Sequence, residues 1–375
     1  MKIIQIIQNL YLTYRATQQL TAPGSTFKPV TIVAGLMEGV ISRDSSVLCD
    51  GVFDKVTPSL KCWNHYGHGT VPNAPTALQF SCNDYLCEIA YRLGMLGETE
   101  AVRLTELGEY TAGSGNLVPE EYTVGSGNSE SEGHIVGSGN QEPEEHTGGI
   151  GNPVLVVYEG SQSSENSGVY ADNVALGFLQ KYAGMFGLDE KSGVEITESA
   201  PHVTDAYGIP SAIGQGTHNY ATVQLARYVN ILASDGEVFS LSLLKGIAGE
   251  DGEIWEYEAE PVRRVELPDS VWETVRSGMM QFARNNAILK DMEISIAGKT
   301  GTAQESELHP DHALFVGYAP AETPEIAVAV RIANGYGSSN ATAVGRSIFN
   351  YYFGLENPED IVTGRASRAN NTRSD

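Results

Sequence analysis

The sequence has little of what a disulfide-built, membrane-spanning or nucleic-acid-binding protein needs. Four cysteines in 375 residues, Cys49, Cys62, Cys82 and Cys87, are too few for a disulfide framework in a chain of this size. No run of about eighteen or more apolar residues occurs, so no transmembrane helix is expected. The opening stretch MKIIQIIQNL is apolar but interrupted by Gln and Asn, and it is not a secretory signal of ordinary form. On these grounds the chain as written is expected neither to anchor itself in a membrane nor to direct its own export. Basic residues are scarce too. With 23 Lys and Arg against 47 Asp and Glu, the net charge is −24, which argues against nucleic acid or an anionic membrane surface as a partner.

What is present reads as globular: 41% hydrophobic and 19% charged residues, in a chain long enough to bury a real core. Its organising stretch is Pro23-Gly24-Ser25-Thr26-Phe27-Lys28-Pro29, which opens the apolar run Val30, Ile32, Val33, Leu36 and Met37. If that run is a helix, one turn brings the Ser25 hydroxyl and the Lys28 amine to the same face. Pro23 and Gly24 form a turn before it, and Pro29 is tolerable within the first turn only. Ser25 then lies at or near a helix N-terminus, where free N–H groups and the dipole favour developing negative charge. A serine so placed, with an amine in reach, can be an activated nucleophile.

Along the chain, residues 49–74 are loop-rich. Cys49 and Cys62 flank part of this loop and are placed to pair in an oxidising compartment. Cys62, His65 and His68 have a spacing that suits a metal, but no fourth ligand is evident and no metal site is expected. Cys82 and Cys87 read as small buried apolar residues. A helix through Thr76 to Phe80 breaks at Ser81-Cys82-Asn83 and restarts through Tyr85, Leu86, Ile89 and Leu93, exposing Ser81 and Asn83 on a turn. From Glu109 a twelve-residue period repeats Gly-Ser-Gly-Asn units between acidic spacers. Each unit has too little apolar surface for a packed repeat, so residues 98–169 are expected to be a flexible insert. Helices are expected again from Asn173 to Phe186, from Val223 to Leu232 and from Pro268 to Arg284, with a short strand at Val194-Glu195-Ile196. The Lys299-Thr300-Gly301 strand, a hairpin over 313–318 and 326–332, and a last helix over 342–353 follow. The tail over 354–375 is polar.

Ser25-x-x-Lys28, Ser81-x-Asn83 and Lys299-Thr300-Gly301 stand in a particular order. In that order, with Gly214-Gln215-Gly216, Val223-Gln224-Leu225-Ala226 and Phe315-Val316-Gly317-Tyr318 beside them, the chain resembles the transpeptidase domain of high-molecular-mass penicillin-binding proteins. Apart from the insert and the tail, the resemblance covers most of residues 15–353, and it implies one split domain over residues 1–97 and 170–353. It implies an α/β (α+β) fold: an antiparallel sheet flanked by helices, a helical subdomain carrying Ser81 and Asn83, and a cleft between them. It implies that Ser25 attacks a carbonyl and forms an acyl-enzyme, that Lys28 takes its proton, and that Ser81 passes the proton on to the leaving amine. Lys28 has to be neutral for this, held so by desolvation and a second nearby cation, for which Lys299 is the candidate. Asn83, Lys299, Thr300, Gly301 and Thr302 would bind the substrate, and the backbone N–H groups of Ser25 and Thr302 would form the oxyanion hole.

The activity implied is a D,D-transpeptidase that cross-links peptidoglycan stem peptides ending in D-Ala-D-Ala and is acylated by β-lactams. The alternatives are a D,D-carboxypeptidase or β-lactamase-type hydrolase on the same scaffold, or a penicillin-binding sensor module without turnover. No metal or organic cofactor is implied. The expected partners are cell-wall precursors and the cell-wall synthesis machinery, on the extracytoplasmic face of the membrane. One departure stands out. The family has strands before Ser-x-x-Lys that belong to the central sheet, and the 24 residues before Ser25 do not supply them. The chain therefore reads as an N-terminally truncated domain with an open sheet edge.

Overall fold

The computed structural model describes residues 14–97, 169–248, 253–256, 259–304 and 309–356. Residues 98–168 of the expected insert and 357–375 of the expected tail lie outside the described residues. After a helical turn at Arg15–Gln18, the chain runs through β1 (Leu20–Thr21), a tight 3-10 turn (Gly24–Phe27), α1 (Lys28–Met37), β2 (Val47–Cys49), β3 (Val52–Phe53), β4 (Leu60–Lys61) and β5 (Gly69–Val71). Next come α2 (Ala74–Phe80), α3 (Asn83–Gly94), α4 (Asp172–Met185), α5 (Gly208–Ala212), β6 (Tyr220–Ala221) and α6 (Thr222–Ala233). Two small hairpin strands, β7 (Glu237–Phe239) and β8 (Gly246–Ala248), precede β9 (Ile254–Glu256), β10 (Pro261–Arg264) and α7 (Asp269–Asn285). The chain closes on β11 (Ala297–Ala303), β12 (His312–Ala319), β13 (Ile326–Ile332) and α8 (Ser338–Tyr352).

The main sheet is antiparallel, in the order β11-β12-β13, with Lys299 opposite Val316 and Val316 opposite Ala329. All eight residues of β12 are buried, as its apolar run requires of a central strand. Its side chains alternate between two cores. Ala313, Phe315 and Ala319 enter one with Ala341 and Phe349 of α8. Leu314, Val316 and Tyr318 enter the larger core, which also holds Leu225, Val229 and Leu232 of α6. Gly345 lets α8 press onto the sheet, since a Cβ there would lie 2.4 Å from the Phe315 ring. On the outer side of β13 no further strand pairs among the described residues.

The helical part is built from α1 to α5. Helix α1 is buried from Lys28 to Gly35, as a core helix without a polar face must be, and Pro29 sits in its first turn. Helix α2 starts on Asn73, whose Oδ1 accepts from the Thr76 N–H at 2.8 Å, and stops where Ser81 turns left-handed at φ 52°. The antiparallel sheet, its flanking helices and the helical subdomain are thus as the sequence led us to expect. The strand expected at Val194-Glu195-Ile196 is not formed. Gly193 enters it at φ +97°, and Glu195 bonds sideways to Ser242 and to the Leu243 N–H rather than joining a ladder.

Candidate active site

Three backbones stack at the turn that carries Ser25. Gly24 has φ +52°, and a Cβ on it would lie 2.5 Å from the Thr302 carbonyl oxygen. A Cβ on Gly301 would lie 2.7 Å from the Pro23 oxygen. On the other side, the Gly24 N–H donates to the Gly214 carbonyl at 3.0 Å. Gln215 Nε2 reaches past it to the Thr302 carbonyl at 3.3 Å. The Ser25 turn, the edge of β11 and the Gly214-Gln215-Gly216 loop, far apart in sequence, are therefore in direct contact. Ser25 is buried within this stack. It precedes α1 in the 3-10 turn rather than opening the α-helix itself, and Lys28 is the first α-helical residue.

Beside the turn lies a hydrogen-bonded group of polar side chains. Lys28 is fully buried, and its Nζ donates to Ser81 Oγ at 2.9 Å, to the Ser81 carbonyl at 2.7 Å and to Asn83 Oδ1 at 2.7 Å. Lys299, also fully buried, donates to the same Ser81 Oγ at 2.8 Å and to the Thr300 carbonyl at 3.0 Å. Its Nζ stands 5.2 Å from the centre of the Phe282 ring. Asn83 is in turn fixed by its Nδ2, which donates to the Lys61 carbonyl at 3.1 Å. One hydroxyl oxygen thus lies between two lysine nitrogens. A hydroxyl has one proton and two lone pairs, so it can accept from one lysine and donate to the other when that one is neutral. Ser81 holds this position in a left-handed conformation that non-glycine residues seldom adopt, and such backbone strain concentrates at functional sites.

Thr300 is buried, and its Oγ1 has no hydrogen-bond partner among the described residues. It opens on a cavity of about 510 Å³ walled by Trp63, Phe80, Phe282 and Asn285. An unsatisfied hydroxyl at the wall of such a cavity is a ready donor for a ligand's anionic oxygen. The sequence-predicted residues Ser25, Lys28, Ser81, Asn83, Lys299, Thr300, Gly301 and Thr302 therefore all belong to this region.

Sequence reasoning missed the support behind the turn. Phe27 packs on the ring of His218, with centroids 4.2 Å apart. His218 Nδ1 accepts from Tyr220 OH at 2.7 Å and from the Thr204 N–H at 3.3 Å, while its Nε2 donates to the Ser211 carbonyl at 3.1 Å. Burial holds this imidazole neutral, with its pKa lowered to about 3. Unfolding returns it to about 6.5. Between those values the unfolded chain binds the extra proton, so stability is full above about pH 6.5 and falls as pH drops toward 3, by about 1.4 kcal/mol per pH unit. Urea unfolding at about pH 7 and pH 5 should show this loss in the native chain. The His218→Gln variant should lose less over the same interval, and equal slopes would refute the assignment.

A second cluster lies on the far side of Ser81. Cys49, Cys62, Cys82 and His68 bring their ligand atoms within 4.8 Å of one another. Hydrogen bonding to Cys82 holds the Cys49 and Cys62 thiols well below their usual range and pushes that of Cys82 up. The sequence pattern had offered Cys62, His65 and His68. His65 is exposed and outside the cluster, and the four cysteines are all free thiols, so the pairing of Cys49 with Cys62 is not made. Cys82 was read as packing alone. Only the break between α2 and α3 could have signalled its position.

Residues 4–134 and 155–350 match the family model described as penicillin binding protein transpeptidase domain. Penicillin-binding protein 2B of Streptococcus pneumoniae is 25% identical over 358 residues, which are 88% of this chain and 43% of that protein. Peptidoglycan D,D-transpeptidase MrdA of Haemophilus influenzae is 25% identical over 372 residues, 92% of this chain and 46% of that protein. The chain thus spans less than half the length of these curated relatives. Among solved structures, Pseudomonas aeruginosa PBP2 in complex with WCK 5153 superposes with a TM-score of 0.64 at 23% identity, covering 98% of this chain and 68% of that one. Penicillin-binding protein A of M. tuberculosis, as its imipenem acyl-enzyme, gives 0.62 at 18% identity, covering 94% and 65%.

Proposed function

The chain belongs to the penicillin-binding protein transpeptidase family, and from that premise we propose that it is a serine D,D-transpeptidase acting through an acyl-enzyme on Ser25. The observation that carries the reading is the Ser81 hydroxyl held 2.9 Å from Lys28 Nζ and 2.8 Å from Lys299 Nζ, one helical turn from Ser25 at the Lys28 end.

In this reading neutral Lys28 takes the Ser25 proton as Oγ attacks the carbonyl of the penultimate D-Ala of a stem peptide. The negative charge on the tetrahedral oxygen is met by the N–H groups of Ser25 and Thr302. The proton then travels from Lys28 through Ser81 to the departing D-Ala amine, which leaves as the C–N bond breaks. The amine of a second stem peptide attacks the ester by the reverse proton path, releasing Ser25 and forming the cross-link. Lys299 and the Thr300 and Thr302 hydroxyls bind the terminal carboxylate, with Asn83 on the acyl-donor backbone. A β-lactam follows the same first half, but its leaving nitrogen remains tethered. No helix among the described residues is long and apolar enough to cross a membrane. The site of action proposed is nonetheless the extracytoplasmic face, where peptidoglycan is built. Neighbours include a PBP2 from Helicobacter pylori in complex with MreC, and a protein partner from the cell-wall synthesis machinery is proposed here also. Residues 98–169 are proposed as an insert that leaves the catalytic fold intact.

The test is covalent labelling of the purified chain by a fluorescent penicillin. Label on the native protein, absent from a Ser25→Ala variant with unchanged circular dichroism, is the expected result. A folded native chain that takes no label, or equal labelling of the variant, would overturn the proposal. Release of D-Ala from a D-Ala-D-Ala peptide, with and without an acceptor amine, then separates transfer from hydrolysis.

A further inference from the structure

We propose that Phe282 is a positioning residue of the candidate active site. The face of its ring holds Lys299 as an ammonium against Ser81, and so leaves Lys28 as the neutral member of the pair. The contact follows from the geometry alone; its consequence for catalysis rests on the transpeptidase reading.

A phenylalanine on the apolar face of a helix ordinarily fills a core, and Phe282 does sit buried with Phe315 and Ala313. Its place on α7 gives it a second contact. Gly278 and Phe282 are four residues apart and share one face of that helix. At Gly278 the helix is pressed onto α2, for a Cβ there would lie 2.8 Å from the Leu78 Cβ. The Leu78 carbonyl accepts the Ser81 N–H at 3.1 Å, so this part of α7 backs the turn that carries Ser81. One turn further on, Phe282 reaches Lys299 on β11, with Nζ 5.2 Å over the ring centre. A single helix face thus supports both residues that meet at the Ser81 hydroxyl.

Ser81 Oγ lies 2.9 Å from Lys28 Nζ and 2.8 Å from Lys299 Nζ. Two ammonium groups at one oxygen repel each other, and each then stands less stable than it would alone. The surroundings decide which lysine keeps its charge. Lys28 donates to the Ser81 carbonyl and to Asn83 Oδ1, bonds that a neutral amine can make with its two hydrogens. Lys299 meets an aromatic face, whose quadrupole attracts a cation and offers a neutral amine much less. Such contacts are strongest where water is excluded, and here the ring and the lysine are both buried. Of the two lysines, Lys299 therefore keeps its proton, and the proton given up to solvent is that of Lys28. A carboxylate in the place of Phe282 would also hold the ammonium but would cancel its charge. The ring holds it and leaves that charge to the substrate carboxylate proposed to bind beside Thr300.

The test replaces Phe282 in the full chain with phenylalanines carrying one, two and three ring fluorines. These keep the ring's outline while draining negative potential from its face. Because Phe282 also lines the cavity beside Thr300, penicillin concentration is varied so that the acylation rate constant is read apart from binding. The rate constant should fall stepwise with each fluorine, by about tenfold over the series, with the urea midpoint unchanged. Trifluorophenylalanine at Phe349, which packs on Phe315 in the same core, should leave it unchanged. A flat series beside a slow Phe282→Leu variant would make the ring mere packing and overturn the proposal. So would a series that changes only penicillin binding. A second readout needs no activity: nitrogen-15 spectra of the lysine-labelled chain, assigned with Lys28→Met and Lys299→Met. Lys299 Nζ should resonate as an ammonium with ring-shifted ε-methylene protons, and both features should move in Phe282→Leu. A Lys299 signal indifferent to Phe282→Leu would overturn the contact. A chain that shows the ring-held ammonium and takes no penicillin would overturn the proposed activity and leave the contact standing.

Discussion

Lys28→Met is expected to slow acylation of Ser25 by about 10²–10⁴-fold, the range for loss of a positioned general base. The substitution keeps an unbranched stem in a fully buried place, so the packing of α1 changes little. It removes the group three residues after Ser25 that also touches Ser81, and with it hydrogen bonds to Ser81 Oγ, the Ser81 carbonyl and Asn83 Oδ1. Ser81 keeps its bond from Lys299 at 2.8 Å, so the hydroxyl stays near its place while its source of the relayed proton is gone. The effect should fall on the acylation rate constant rather than on penicillin binding, because Lys299 and Thr300 are untouched. Stopped-flow labelling over a range of penicillin concentrations separates the two. A variant acylated at the native rate would remove Lys28 from the chemistry.

How much of this was legible in the sequence depends on the kind of contact. The ordered motifs Ser25-x-x-Lys28, Ser81-x-Asn83 and Lys299-Thr300-Gly301 identified the site because each has a local signature: a turn and an apolar run, a break between helices, a small-residue strand. The β12–β13 hairpin was legible for the same reason, since unbroken apolar strands have few other solutions. What stayed hidden were contacts between segments that carry no periodicity. Nothing near His218 says that its ring will lie under Phe27, 191 residues away in sequence, because that meeting is decided by how α5 and β6 pack. The cysteines were misread similarly. Cys62 and His68 are six apart and were paired by spacing, whereas Cys49 and Cys82 join them only because β2 and the α2–α3 break converge. The strand expected at 194–196 failed because the flanking glycine turns the chain and Glu195 bonds through its side chain, so that among the described residues no strand pairs with it.

Gly214→Ala should be far more damaging than its chemistry suggests. Gly214 has φ +77°, and a Cβ on it would lie 1.8 Å from the Gly24 carbonyl oxygen. Gly24 cannot retreat, because its own Cα is pressed against Thr302 on the opposite side, where even a Cβ would lie 2.5 Å from the carbonyl oxygen. The substitution therefore pushes one backbone through the Ser25 turn into β11. The strained φ costs about 1–3 kcal/mol, and overpacking against backbone adds about 1–3 kcal/mol. Relief can come only by moving Ser25 away from Thr302, which separates the two N–H groups proposed to receive the oxyanion. Both the urea midpoint and penicillin labelling should fall. The control is Gly177→Ala in α4, where the added methyl meets nothing within 4 Å. That change should raise stability by about 0.5–1 kcal/mol through the lower helix penalty of alanine, with labelling unchanged. Opposite signs for one added methyl at two glycines would show that the stack of Gly214, Gly24 and Thr302, and not glycine content, sets the geometry around Ser25. Were Gly214→Ala as stable and as readily labelled as the native chain, that stack could not be what positions the nucleophile.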